Sequence, residues 1–193
     1  MNTGTILVRD TVEGFTLLEL LIVVAISGIL LGVGLPAMGA LIERNQFKAE
    51  VSAVHRAVAL SRSMAVYRGE AVSLCPLDNL GNCSDQWSNS LSIFADTDRS
   101  GSLDENEVII KVLPALSGDS SNLMRDFNRS SAVMFYPSGS AFGRNGTMKI
   151  CLRSTPNLSA TIIISGSGRI RMGKDQDDDG LVESSSGDPV DCT

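Results

Sequence analysis

Hydrophobic and polar positions divide the chain into three patterns. From Leu20 to Ile42 there are 23 residues without a charge, enough for a helix to cross a hydrocarbon core of ~30 Å. Past Glu43 the pattern becomes amphipathic. Phe47, Val51, Val54 and Val58 recur at i, i+4, i+7 and i+11, while Glu43, Arg44, Lys48, Glu50, Arg56 and Arg62 fall mostly on other faces. No Pro or Gly stands between Ala40 and Arg68, so the spacing predicts one helix from Phe15 to about Tyr67. Pro36, between Gly32-Val33-Gly34 and Gly39, is expected to kink or locally melt it.

After Gly69 the period changes to two. Strands are expected at Glu70–Cys75, Leu91–Phe94, Val108–Val112, Ala132–Tyr136, Met148–Leu152 and Thr161–Ser165, with a last one at Arg169–Met172. Strands that follow one long helix, without alternating helices, predict an α+β fold in which an antiparallel sheet packs on the apolar stripe.

The 193-residue composition, 43% hydrophobic and 20% charged, excludes a polytopic membrane protein and a disordered polyelectrolyte. A net charge of −6 argues against a generally basic nucleic-acid coat. A secretory signal peptide would have a shorter apolar region and an A-x-A-like site after it; here Glu43-Arg44-Asn45 and more helix follow. Glu19 is the one charge within the run Phe15–Val24. A carboxylate in a membrane helix is costly and marks a functional site that needs a partner. A cut between Gly14 and Phe15 would create such a partner, an α-amino cation four residues from Glu19.

Gly14-Phe15-Thr16-Leu17-Leu18-Glu19 and the apolar run behind it resemble the class III signal of type IV pilins and type II secretion pseudopilins. Pro36 also matches the pilin helix pattern. The resemblance implies cleavage after Gly14 by a prepilin peptidase, N-methylation of Phe15, and filament assembly in which Glu19 pairs with a neighbour's amine. It implies a cleaved leader at 1–14, a membrane-spanning helical half at 15–42, an amphipathic half at 43–68, and a periplasmic β-rich domain with an acidic tail at 69–193. The implied location is the inner membrane, single-pass, and then the filament. The implied partners are the prepilin peptidase and other major and minor pilins or pseudopilins. The leader departs from the basic pattern, carrying Asp10 and Glu13 beside Arg9.

Further along, Tyr136-Pro137-Ser138-Gly139-Ser140 and Ser165-Gly166-Ser167-Gly168-Arg169-Ile170-Arg171 resemble signatures of the minor pilin and H-type pseudopilin branch, the GspH/FimT group. The function this implies is a non-enzymatic minor pilin or pseudopilin of a type IV pilus-like structure. The alternative is an H-type pseudopilin of a type II secretion system. No nucleophile–base constellation argues for an enzyme, and the sole histidine, His55, lies beside Val51 and Val54 as a packing residue.

Four cysteines in a domain outside the inner membrane suggest two disulfides. Of three connectivities, Cys75–Cys83 with Cys151–Cys192 is the expected one, since the first pair closes a small loop. Zinc is the weaker reading, because no Cys-x-x-Cys or nearby His is present.

Two acidic loops carry oxygen ligands. Asp96, Asp98, Ser100 and Glu107 occupy EF-hand positions 1, 3, 5 and 12, with Gly101 at 6. The flanks read as strands, so a solvated hairpin turn without cofactor is expected, with calcium as the alternative. The second loop, Asp175–Gly180, has Ser186 where the final Glu would stand.

Between Phe127 and Lys174 there is no acid but seven bases, and Asp175–Thr193 reverses this with seven acids and no base. Local ion pairing is the plain account. A patch for duplex DNA is the sharper one: Arg169 and Arg171 alternate onto one strand face, with Lys149, Arg153 and Lys174 as candidate neighbours. Gly168-Arg169-Ile170-Arg171 resembles the Gly-Arg-x-Arg element of DNA-binding FimT members used in natural transformation.

Overall fold

The computed structural model describes residues 14–116, 121–127, 131–152, 158–179, 181–190 and 192, and their side chains except at 33–37, 40, 121, 122 and 124–127. Residues 1–13, nearly all of the expected leader, lie outside this description. The chain divides into two compact units, Met1–Ile42 and Glu43–Thr193.

Helix α1 spans Leu17–Arg68. Thr16 opens it: its Oγ1 accepts the Glu19 N–H at 3.2 Å, and Thr16-x-x-Glu19 has the spacing of a capping box. Gly69 closes it with φ +69° and an N–H bond to Ala65 O at 3.1 Å, a left-handed cap suited to glycine. The melting expected at Pro36 does not occur, since α1 is one element through that position. Among the described residues no helix is long and apolar enough to cross a membrane. Within the apolar run Leu20–Ile42 the side chains are described at 20–32, 38, 39, 41 and 42, and the unbroken stretch Leu20–Gly32 amounts to about 20 Å of helix.

In the second unit α1 buries Phe47, Val51, Val54 and Val58, the four positions picked out by the spacing, and extends the stripe through Ala57, Ser61 and Ala65. Ser61 satisfies its hydroxyl on Ala57 O at 2.9 Å. Eight strands follow among the described residues: β1 Val72–Pro76, β2 Leu91–Ala95, β3 Ile109–Leu113, β4 Ser121–Phe127, β5 Val133–Phe135, β6 Gly146–Leu152, β7 Ser159–Ile164 and β8 Ile170–Met172. They form two antiparallel sheets, ordered β3-β2-β1-β5 and β4-β6-β7-β8.

The single sheet expected from the sequence is therefore two, and the chain crosses between them at β4 and again at β5 and β6. Both sheets contribute to one core with the helix stripe, Leu74, Ile93 and Phe135 from the first and Met148, Ile150 and Ile162 from the second. β4 has no strand signal of its own. Ser-Asn-Leu-Met-Arg-Asp-Phe is poor in β-branched residues, and the strand exists because all seven residues pair with β6. β1 and β2 are buried at every position; covering on both faces replaces the period of two by a continuous run.

Candidate functional site

At the N-terminus, Phe15 and the large apolar side chains of α1 up to Ile42 that are described are all exposed. Glu19 is exposed among them and takes part in the cap with Thr16. Its place in the first turn, near the positive end of the helix dipole, is a structural role beyond the assembly role expected of it.

The two glycine-serine signatures come together in space. In the first, Tyr136 N–H bonds to Ser140 O at 2.9 Å and Gly139 N–H to Tyr136 O at 2.8 Å. In the second, Ser165 N–H bonds to Arg169 O at 3.0 Å and Gly168 N–H to Ser165 O at 2.8 Å. A third turn, Ser184–Asp188, repeats the pattern with Ser184 N–H on Asp188 O at 2.8 Å and Gly187 N–H on Ser184 O at 3.3 Å. The glycine in each has positive φ, which a hairpin turn ending in a left-handed residue requires.

The first two turns interlock. Ala141 N–H reaches Gly166 O at 2.9 Å, and a Cβ at Gly168 would lie 1.7 Å from Gly139 O. Arg62, on α1, donates Nε–H to that same Gly139 carbonyl at 2.9 Å. The signatures thus make a packing junction held by the helix. Arg62 was not singled out by sequence, because an exposed arginine opposite an apolar stripe reads as solvated surface.

Of the five candidate DNA-contacting bases, the structure places two in one cleft. Arg169 and Arg171 line a cavity of about 460 Å³ with Asn145, Ser165, Ser167 and Ser185. Lys149 is half-buried and pairs with Thr161, whereas Arg171 pairs with Ile163. All four share the face of the second sheet turned from the core. The C-terminal segment lies on that face, where Thr161 Oγ1 donates to Glu183 O at 3.0 Å. Lys174 is exposed beyond β8 and outside the cleft; Arg153 lies outside the described residues.

The Asp96–Glu107 loop joins β2 to β3; residues 97–100 and 104–106 are exposed, as in a solvated turn, but Asp96 at its start is 0% exposed. Its Oδ2 accepts the Ser73 hydroxyl at 2.5 Å and Gly101 N–H at 3.2 Å. Burial raises the Asp96 carboxyl above its ordinary value against the Ser73 hydrogen bond. Burial likewise raises Glu107, while the Ser100 amide lowers Asp98. Carboxylate oxygens of Asp96, Asp98 and Glu107 lie within 4.8 Å of one another. Ser100 Oγ faces Ser102, donating to its carbonyl at 3.3 Å and accepting its N–H at 3.1 Å. In the second acidic loop Asp175 and Asp177 meet Glu183, whose two oxygens accept Gln176 N–H at 2.9 and 3.1 Å.

Both expected disulfides are present. Cys75–Cys83 and Cys151–Cys192 have Cα–Cα separations of 5.5 and 5.8 Å, which removes the zinc reading. The first ties β1 to the loop that follows it; the second ties the C-terminus to β6.

No curated protein matches the chain. Among solved structures it is similar to the type IV minor pilin FimU of Pseudomonas aeruginosa PAO1 in two crystal forms. In one the identity is 21% and the TM-score 0.56, covering 79% of this chain and 99% of that one; in the other they are 19% and 0.50, covering 76% and 99%. The minor pseudopilin EpsH of the Vibrio cholerae type 2 secretion system matches at 14% identity and TM-score 0.47, covering 66% and 95%. The FimU likeness shows the fold, that of a type IV pilin-like subunit. The prokaryotic N-terminal methylation motif matches residues 10–35, and the type II transport protein GspH model matches residues 50–168, more than half of the chain. The chain belongs to the GspH family, whose members are non-enzymatic minor pilin and pseudopilin subunits.

Proposed function

We propose that this chain is stored in the inner membrane by the apolar half of α1, with its β-rich domain in the periplasm. Prepilin peptidase cuts it between Gly14 and Phe15, Phe15 is N-methylated, and the subunit joins a type IV pilus-like filament with other pilins. The observation that carries this reading is the exposure of the described large apolar side chains from Phe15 to Ile42, a stretch in which Glu19 is the one charge. A soluble fold leaves no such surface uncovered, whereas lipid and then neighbouring helices cover it in turn. Glu19 supplies the partner for a neighbour's new α-amino group inside that apolar packing.

The test compares membrane and sheared-filament fractions of cells making the natural chain or Glu19→Ala. The variant is expected to accumulate in membranes at the natural level and to be depleted at least about tenfold from filaments, as loss of a buried charge pair implies. Filament-borne protein that retains Met1, found by mass spectrometry, would end the proposal.

Two narrower readings have support of their own. A type II secretion pseudopilus is favoured by the description of the matched family; loss of protein export with intact pili in a deletion strain decides for it. Duplex DNA binding is favoured by the Arg169–Arg171 cleft, and salt-sensitive retardation of a DNA fragment measures it.

A further inference from the structure

We propose that the β2–β3 loop binds one calcium ion through the carboxylates of Asp96, Asp98 and Glu107. Their mutual spacing, within 4.8 Å, matches the span of two oxygens on opposite sides of a cation bound at about 2.4 Å. A cluster of acids alone would not distinguish a site from a solvated turn. The independent observation is Asp96. The residue is fully buried, its Oδ2 is held by Ser73 and Gly101, and its buried Oδ1 has no hydrogen-bond partner among the described residues. A buried carboxylate oxygen without a donor is rare and costly, and a divalent cation held jointly with Asp98 and Glu107 satisfies it.

The surroundings prepare the other ligands. Glu107 is oriented by Thr97 N–H on Oε1 at 2.7 Å and Asp104 N–H on Oε2 at 3.3 Å. Asp98 is oriented by Ser100 N–H at 2.9 Å. Each oxygen so held keeps a second lone pair. The base of this loop, Arg99, does not neutralise the cluster: its guanidinium lies over the Tyr136 ring, 5.3 Å from the centroid, with its backbone at φ +65°.

An all-oxygen donor set without His or Cys selects a hard cation over zinc or copper. Three carboxylates on a loop, completed by hydroxyl, carbonyl or water oxygens, suit the large, adaptable shell of calcium better than the strict octahedron of magnesium. The flanking strands replace the helices of an EF-hand, so the cation fixes a hairpin. Through Arg99 it steadies the Tyr136–Ser140 turn as well.

The test uses the full-length chain in detergent micelles, stripped with a chelator and titrated with calcium chloride by calorimetry, with thermal melts in parallel. One ion per chain is expected, with Kd on the order of 10⁻⁴–10⁻³ M as in extracellular calcium modules, and a higher Tm at saturation. Asp98→Asn and Glu107→Gln should each weaken binding by about tenfold or more with unchanged far-ultraviolet circular dichroism. Asp177→Asn, in the other acidic cluster, should bind as the natural chain does. The proposal is overturned by absence of heat and of Tm shift up to about 10 mM calcium. It is equally overturned by natural affinity in both loop variants, by loss of binding in Asp177→Asn, or by magnesium binding as tightly as calcium.

Discussion

Between Leu17 and Ile42 the described large apolar side chains of α1 sit on all sides of the helix and stay exposed, Leu17 at 78% and Leu30 at 67%. Between Phe47 and Ala65 they keep to one stripe and are buried, Val58 at 0%. Backbone geometry is common to both stretches; the covering differs. A helix apolar all round asks to be surrounded, whereas a stripe asks for one packed partner. Each large apolar side chain gains roughly 1.5–3 kcal/mol when covered. The second unit realises that gain within its own core, and the first leaves it for lipid or neighbouring subunits. Stability and assembly are thereby assigned to different stretches of one element.

The largest expected effect tests that division directly. Val58→Asp puts a charge without a partner among apolar side chains of α1 and both sheets, and should cost more than about 4 kcal/mol, enough to unfold the domain. Ile29→Asp, at 68% exposure, should leave the urea midpoint of the domain unchanged and instead impair membrane insertion by about 2.5–3.5 kcal/mol. Equal loss of the midpoint in both variants would break the comparison.

Next in size is the junction that Arg62 holds from the buried stretch. Gly168→Ala places a Cβ 1.7 Å from the Gly139 carbonyl at φ +79°, so backbone must move, and a loss of about 2–4 kcal/mol is expected in urea denaturation. Gly14→Ala, with nothing within 4 Å of the added atom, should leave the midpoint where it is. The disulfides are of similar size. Replacing Cys151 and Cys192 by Ser releases a separation of 41 residues, against eight for Cys75–Cys83; chain entropy predicts losses of about 4 and 2.5 kcal/mol. A larger loss from the shorter loop would show that the short bridge acts through native contacts.

The helix was legible in the sequence because i, i+4, i+7, i+11 spacing reports burial directly, and Phe47, Val51, Val54 and Val58 are all in the core. Seven strands were legible to within a few residues because their own apolar runs set them. β4 was not, since its pairing with β6 and not its composition makes it a strand. Both cysteine pairs were anticipated from spacing. Non-local relations were out of reach. Nothing near Arg62 announces a carbonyl 77 residues away, and an Asp opening an Asp/Gly loop reads as solvated until Ser73 of β1 is seen beneath it.

The smallest expected effect on folding belongs to the cleft. Arg169 and Arg171 are exposed, so Arg169→Ala with Arg171→Ala should change stability by no more than about 0.5 kcal/mol. That places the pair with the exposed stretch of α1, as surface that serves something outside the core. Duplex DNA bound there should show a slope of log affinity against log salt of roughly −3 in the natural chain, since each neutralised phosphate contributes about −0.9. The double variant should lose about two units of that slope, because these two bases line the cavity while Lys149 is half-buried on the face that carries the C-terminal segment. Lys149→Ala should therefore change the slope less than either arginine does. Little sequence preference is expected from contacts to phosphate alone. The measurement is gel retardation of a duplex fragment over a salt series, with the chain in micelles at micromolar concentration. Absence of any salt-sensitive shift, or a shift untouched by the double variant, would return both arginines to ordinary solvated surface.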